Sequence, residues 1–148
     1  SPLSHEQYMA LLSSTIESRL AGLFCKRIDS QAKEMLEATI DLAMSNNIAV
    51  ILYESPLHAT FSKTAIRKNA YGYESCRKLI GDYLSSLAQS HPNVFFKDLS
   101  EYNIVSALKE EGFYDAVHLR PGAAELVVDV LVPEIENALT WSQQTPAK

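Results

Sequence analysis

The run Ile48-Ala49-Val50-Ile51-Leu52-Tyr53 decides the fold class of this chain. Its residues are apolar throughout, and they do not alternate with polar ones. Turn signals bound the run, with Asn46-Asn47 before it and Glu54-Ser55-Pro56 after it. A continuous apolar run of strand length between turn signals predicts a parallel strand that is buried on both faces.

A second strand is predicted at Val94–Leu99, after the helix-breaking sequence His91-Pro92-Asn93. Between the two strands we expect a long loop that extends to about Asn69, followed by a helix. Its apolar side recurs at three- and four-residue spacing through Tyr73, Cys76, Leu79-Ile80, Tyr83-Leu84 and Leu87. A helix that joins two such strands predicts adjacent parallel strands with a right-handed crossover.

Two amphipathic helices are predicted before the first strand. Ser4 and Gln7 form a capping-box pattern ahead of a helix over residues 5–24. Asp29 or Ser30 can cap the second helix. After the second strand we expect a short helix over residues 104–111.

A terminal helix is predicted to open at Pro121 and to kink at Pro133, with a frayed tail over residues 141–148. This order predicts a single α/β domain over residues 1–148. The layout is three-layer, with a parallel sheet of the flavodoxin-like or SGNH type. Because two strands make a poor sheet, the chain is also expected to be part of a larger sheet or to self-associate.

Composition excludes several classes of function. The 148 residues are 47% hydrophobic and 21% charged, with a formal net charge of −5. Lys and Arg form no stripe, so nucleic acid is not an expected partner. No apolar run is long enough for a transmembrane segment, and residues 1–5 lack a signal-peptide pattern. Cys25 and Cys76 are predicted to be buried free thiols.

Asp115 and His118 are the residues whose spacing points to chemistry. They stand three apart just before a predicted helix. A carboxylate at that spacing can accept the Nδ1–H of the imidazole and leave Nε2 free to take a proton from a nucleophile. The alternative on spacing alone is an Asp at a helix start beside a His that packs or caps.

The sequence around this pair resembles a known family. Asp115-Ala116-Val117-His118-Leu119, followed by Pro121-Gly122-Ala123 and an apolar helix, is similar to the last conserved block of SGNH/GDSL hydrolases. The strand at residues 50–53 before Ser55-Pro56, and the strand that ends in Asp98-Leu99, also resemble that family's layout. The resemblance covers residues 30–140.

Among the family's members, cell-envelope acyl-transfer proteins of the D-alanylation (DltD-like) and glycan O-acetylation type look closest in layout. The resemblance implies that Asp115 and His118 are catalytic. The implied substrate is an acyl ester or an acylated glycan, and the implied location is the extracytoplasmic bacterial cell envelope.

The chain departs from the family at the nucleophile. No Gly-Asp-Ser sequence occurs, and Gly81-Asp82 is followed by Tyr83 inside a predicted helix. Ser55 follows a strand and is a possible nucleophile or substrate-binding residue, although Pro56 opposes an immediate helix start. His58, in the same predicted loop, could bind substrate or be a solvated loop residue.

No Gly-rich phosphate loop and no metal-ligand spacing appears, so no cofactor is expected. The sequence leaves two functions open. One is the C-terminal part of an SGNH/GDSL-type esterase or O-acyltransferase, inactive alone, that supplies an Asp–His base pair. The other is a non-catalytic binding or assembly module that retains the fold. A flavodoxin-like receiver domain is disfavoured because it needs a cluster of acidic residues after its first strand, and only Glu54 is found there.

Overall fold

A computed structural model describes residues 4–20, 27–99, 112–115 and 117–144. The strands are β1 (Val50–Glu54) and β2 (Val94–Asp98). The helices are α1 (His5–Leu20), α2 (Ser30–Ser45), α3 (Ala59–Ser90) and α4 (Pro121–Gln144). This is a mixed α/β fold that is dominated by helices, with a small parallel sheet.

The two strands pair in parallel, as predicted. Val50 lies opposite Val94 at one end of the sheet, and Glu54 lies opposite Asp98 at the other. β1 begins two residues later than expected because the end of α2 still holds the chain. Asn47 adopts φ 55°, and the Ile48 N–H donates to the Ala43 carbonyl at 2.8 Å.

Helices pack against both faces of this sheet. Ile51 packs against a buried cluster that includes Val127 and Leu131 of α4. Val50 and Leu52 point to the opposite face, where they contact a cluster that includes Ile40 of α2 and Leu87 of α3. Burial is incomplete, since Tyr53 is 47% exposed. No residue of β1 is fully buried, so the prediction that the strand is buried on both faces is wrong, although helices contact both faces.

The amino ends of the strands are fixed by a buried asparagine. Asn93 has no exposed surface, and its Nδ2 donates to the carbonyls of Ile48 (3.2 Å) and Ile40 (3.4 Å). Its own carbonyl accepts the Val50 N–H at 2.8 Å. Asn93 thus joins α2 and the segment before β1 through its side chain, and β1 itself through its backbone carbonyl.

The helix α3 begins at Ala59, so the long loop predicted to reach Asn69 is wrong. Asn69 instead interrupts the helix with φ −161° and ψ 73°, and its Oδ1 accepts the Gly72 N–H at 3.0 Å. A Cβ atom at Gly72 would lie 2.3 Å from the Asn69 amide nitrogen, so a larger residue would displace the Asn69 side chain from this hydrogen bond. Asn69 therefore starts the second part of the helix.

The remaining helices follow their predicted caps. Ser4 and Gln7 exchange hydrogen bonds of 2.9 and 3.2 Å, which is the capping box, and Asp29 caps α2 through the Ala32 N–H at 3.0 Å. Helix α4 extends to Gln144, into the segment predicted to be frayed. The helix predicted over residues 104–111 lies outside the described residues.

Cys76 corrects the prediction of free thiols. Its side chain is buried, and its sulfur is disulfide-bonded. The other cysteine of the chain, Cys25, lies outside the described residues.

No helix in the described part of the chain combines the length and the apolar character needed to cross a membrane.

Candidate active site

The candidate site is formed by residues 112–115 and 117–120, two short segments that pair like a hairpin just before α4. Phe113 and Leu119 form an antiparallel bridge. The Tyr114 N–H donates to the His118 carbonyl, and the Arg120 N–H donates to the Gly112 carbonyl, both at 2.8 Å. These backbone hydrogen bonds hold the two segments on either side of the turn together.

Apolar contacts place this loop at the carboxyl ends of the strands. Phe113 is 1% exposed and packs in one cluster with Leu99, the residue that follows β2. Its ring also contacts His58, which lies just beyond β1. Val117 packs against the cluster formed by α1 and the first part of α3. In α/β folds the carboxyl edge of a parallel sheet is where sites form.

Asp115 and His118 are brought together in this loop. Asp115 Oδ2 lies 2.7 Å from His118 Nδ1. Asp115 Oδ1 accepts the backbone N–H groups of Val117 and His118, each at 2.9 Å. The carboxylate thus closes the turn with one oxygen and holds the imidazole with the other, which makes the spacing of three residues a local structural requirement.

The electrostatics favour an ionised Asp115. Burial alone would raise the pKa of this carboxyl group, but hydrogen bonds from the Val117 backbone, the His118 ring and the His118 backbone outweigh it. The positive form of the imidazole adds to them, and the pKa of Asp115 is lowered from its ordinary value. An ionised carboxylate can only accept, so it selects the tautomer with a proton on Nδ1.

The other nitrogen of His118 is open to solvent. The side chain of His118 is 67% exposed, whereas that of Asp115 is 18% exposed. Within the described ranges, Nε2 makes no hydrogen bond. One nitrogen oriented by an acceptor and the other accessible is the arrangement that a general base needs.

Ser55 does not join this pair. It is exposed in the segment between β1 and α3, and no hydrogen bond connects it with His118 in the described structure. Ser55 and the Asp115–His118 pair therefore share the carboxyl side of the sheet without direct contact through a hydrogen bond.

His58 has a structural role that the sequence did not reveal. It is buried at the start of α3 and is not a solvated loop residue. It is 0% exposed and caps α3, with Nδ1 accepting the Thr60 N–H at 3.1 Å. Its ring meets that of Phe113 edge-on, with centroids 5.3 Å apart. The expectation of a surface histidine at this position is wrong.

Sequence reasoning missed Tyr114 and Arg120, which flank the pair. The Arg120 guanidinium carbon lies 5.0 Å from the centre of the Tyr114 ring, and its Nε donates to the Phe113 carbonyl at 3.0 Å. The sequence does contain a signal for this pair. An apolar residue is followed by a polar one both before Asp115 (Phe113-Tyr114) and after it (Leu119-Arg120), as expected for two paired segments that bury one side.

No cluster of three or more His, Cys, Asp or Glu side chains in the described segments is arranged to hold a metal ion. Comparison of the chain with protein-family models, curated protein sequences and solved structures finds no match.

Proposed function

We propose that this chain supplies the Asp–His base pair of an SGNH/GDSL-type esterase or O-acyltransferase that acts on an acyl ester or an acylated glycan. One observation carries the proposal. His118 Nδ1 lies 2.7 Å from the Asp115 carboxylate, while 67% of the His118 side chain is exposed. An oriented imidazole with an accessible second nitrogen is suited to proton transfer.

In the proposed reaction, Nε2 of His118 takes the proton of a serine hydroxyl as the serine oxygen attacks the acyl carbonyl carbon. The Asp115 carboxylate stabilises the imidazolium that forms. The imidazolium then donates the proton to the departing alkoxide, and the acyl group remains on the serine. Water or a hydroxyl acceptor, activated by the same nitrogen, releases it. The serine is proposed to lie outside this 148-residue chain, which contains no Gly-Asp-Ser sequence.

We also propose that β1 and β2 belong to a larger parallel sheet in a three-layer fold. In the described structure each strand pairs only with the other, and proteins rarely leave such edges bare. The additional strands would come from further sequence or from a second copy of the chain. The disulfide at Cys76 supports an extracytoplasmic location, because disulfides persist in oxidising compartments.

The test measures ester hydrolysis by the protein as its gene encodes it, with 4-nitrophenyl acetate as substrate. We expect His118→Ala to reduce kcat by about 10⁴-fold or more, since the serine loses its base. Arg67→Gln, an exposed change on α3, is the matched control and should leave the rate unchanged. Full activity in the His118→Ala variant would contradict the proposal.

The 148-residue chain by itself provides a second test. We expect no fluorophosphonate labelling of it, because no serine in the described residues is hydrogen-bonded to His118. Rapid, His118-dependent labelling would show that the nucleophile is present in the chain.

The second candidate is a non-catalytic binding or assembly module. Exposed apolar side chains on α2 favour it, since Met35 is 65% and Leu42 is 67% exposed. Under this alternative, His118→Ala has no effect on any acyl-transfer rate, whereas Leu42→Glu disrupts association measured by light scattering.

A further inference from the structure

The candidate site presents one exposed face that carries three different side chains. Phe113 and Leu119 are cross-strand partners whose side chains join the buried cluster around α4. Side chains alternate between the two sides of paired strands, so Tyr114, His118 and Arg120 point to the opposite side. Their exposure agrees: Tyr114 is 51% exposed, and His118 and Arg120 are also exposed.

Arg120 is held in place on this face. Its Nε donates to the Phe113 carbonyl at 3.0 Å, and its guanidinium stacks 5.0 Å from the centre of the Tyr114 ring. These two contacts fix the plane of the guanidinium without using its terminal amino groups. A side chain that is fixed in advance loses less conformational freedom when it binds a ligand.

Among the residues that the structure describes, Arg120 carries a charge with no ion-pair partner. No carboxylate of the described residues lies within ion-pair distance of it. Arg77 on α3 is the opposite case, because it lies 3.5 Å from Glu54 and 3.8 Å from Asp98. Lys63, Arg67 and Lys68 are exposed on α3 and also have no ion pair among the described residues. Arg120 differs from them in the two contacts that orient its guanidinium.

We infer that Arg120 binds an anionic group, a carboxylate or a phosphate, on the substrate whose acyl chemistry occurs at His118. The inference rests on the proposed function and adds to it the charge of the substrate. The terminal amino groups of a guanidinium match the two oxygens of a carboxylate or phosphate in a bidentate contact. Tyr114 and Arg120 thus act as specificity-determining residues, and His118 acts on the acyl group nearby.

The experiment is an NMR titration of the ¹⁵N-labelled 148-residue chain. The probes are D-glucuronate, D-glucose 6-phosphate and the neutral methyl glucoside. We expect concentration-dependent shifts of the Arg120 Nε signal and of the Tyr114 and His118 amides with the two anions, and none with the neutral sugar. The anion that binds more tightly identifies the source of the charge as a carboxylate or a phosphate.

Variants assign the binding to Arg120. Arg120→Gln should weaken it about tenfold or more, because a charge-assisted bidentate contact is lost. Arg120→Lys keeps the charge without the planar fork and should recover part of the affinity. Arg67→Gln removes an exposed cation on α3, a different helix from the one that follows Arg120, and should leave the anion affinity unchanged.

Two outcomes overturn the inference. The first is an equal loss of anion affinity in Arg67→Gln and Arg120→Gln, which would indicate diffuse electrostatic attraction. The second is the absence of saturable chemical-shift changes with both anions. His118→Ala separates this inference from the proposed function, since it removes the base but retains Arg120. Anion binding that persists in a protein without His118-dependent catalysis supports the anion site and contradicts the base.

Discussion

His58 and His118 occupy comparable places in the fold and have opposite environments. Each lies in the loop region at the carboxyl side of the sheet, shortly before a helix begins. His58 is fully buried against Phe113, and its Nδ1 accepts a backbone N–H of α3. The side chain of His118 is 67% exposed, and its Nδ1 faces the Asp115 carboxylate.

The difference teaches that the partner of a histidine, and not its position after a strand, decides which ring nitrogen carries the proton. A backbone N–H at a helix start requires an acceptor nitrogen, so it fixes the His58 tautomer for capping. A carboxylate requires a donor nitrogen, so it fixes the opposite tautomer and leaves an acceptor for chemistry. Each of the following predictions tests one side of this comparison.

The largest expected effect is the destabilisation caused by His58→Ala. This change removes a helix cap and a buried ring that packs on Phe113, so we expect the free energy of unfolding to fall by about 2–4 kcal/mol. Urea denaturation followed by circular dichroism measures it. His58→Asn, which restores a capping acceptor, should recover about 1 kcal/mol. A loss smaller than that of His118→Ala would contradict the structural role of His58.

An intermediate effect is expected for Asp115→Asn, and it should depend on pH. The pKa of Asp115 is lowered in the folded protein, so its contribution to stability is present above the unfolded pKa of about 3.9 and is lost as the pH falls through the folded pKa. We expect a loss of about 1 kcal/mol at pH 7 that disappears in acid.

Urea denaturation at a series of pH values from neutral to acidic checks this dependence. Asp129→Asn, an exposed change on α4 at a carboxylate without an ion pair among the described residues, controls for the loss of one negative charge. A constant difference between wild type and Asp115→Asn across the whole range would refute the ionised pairing with His118.

The smallest expected effect on stability is that of His118→Ala. The side chain is 67% exposed and its ring pairs with the partly exposed Asp115 carboxylate, so the free energy of unfolding should change by about 0.5 kcal/mol or less. Thermal unfolding followed by calorimetry checks it. A loss comparable to that of His58→Ala would show that His118 is a packing residue, and the functional interpretation would then fail.

Much of the fold was accessible to sequence reasoning because it depends on local patterns. The continuous apolar runs predicted both parallel strands, and the helix caps at Ser4 and Asp29 mark where α1 and α2 begin. The start of α3 was missed because His58 is not among the strongly preferred capping residues, and Pro56 favoured a loop. The cap is recognisable only once Phe113 buries the ring.

The candidate site was accessible in part for the same reason. The Asp115–His118 contact spans three residues and depends on one local turn. The Arg120–Tyr114 stack depends on which residues pair across the loop, and spacing alone does not specify that pairing. The burial of His58 depends on Phe113, which lies more than fifty residues further along the chain.

The tautomer of His118 tests the central claim most directly, and it is measured by ¹⁵N NMR of the imidazole at neutral and mildly alkaline pH. We predict a proton on Nδ1, held by the Asp115 carboxylate, and an unprotonated Nε2. His58 in the same spectrum should show the opposite tautomer, with its Nδ1 as the acceptor. A His118 spectrum with the proton on Nε2, unchanged in Asp115→Asn, would contradict the account.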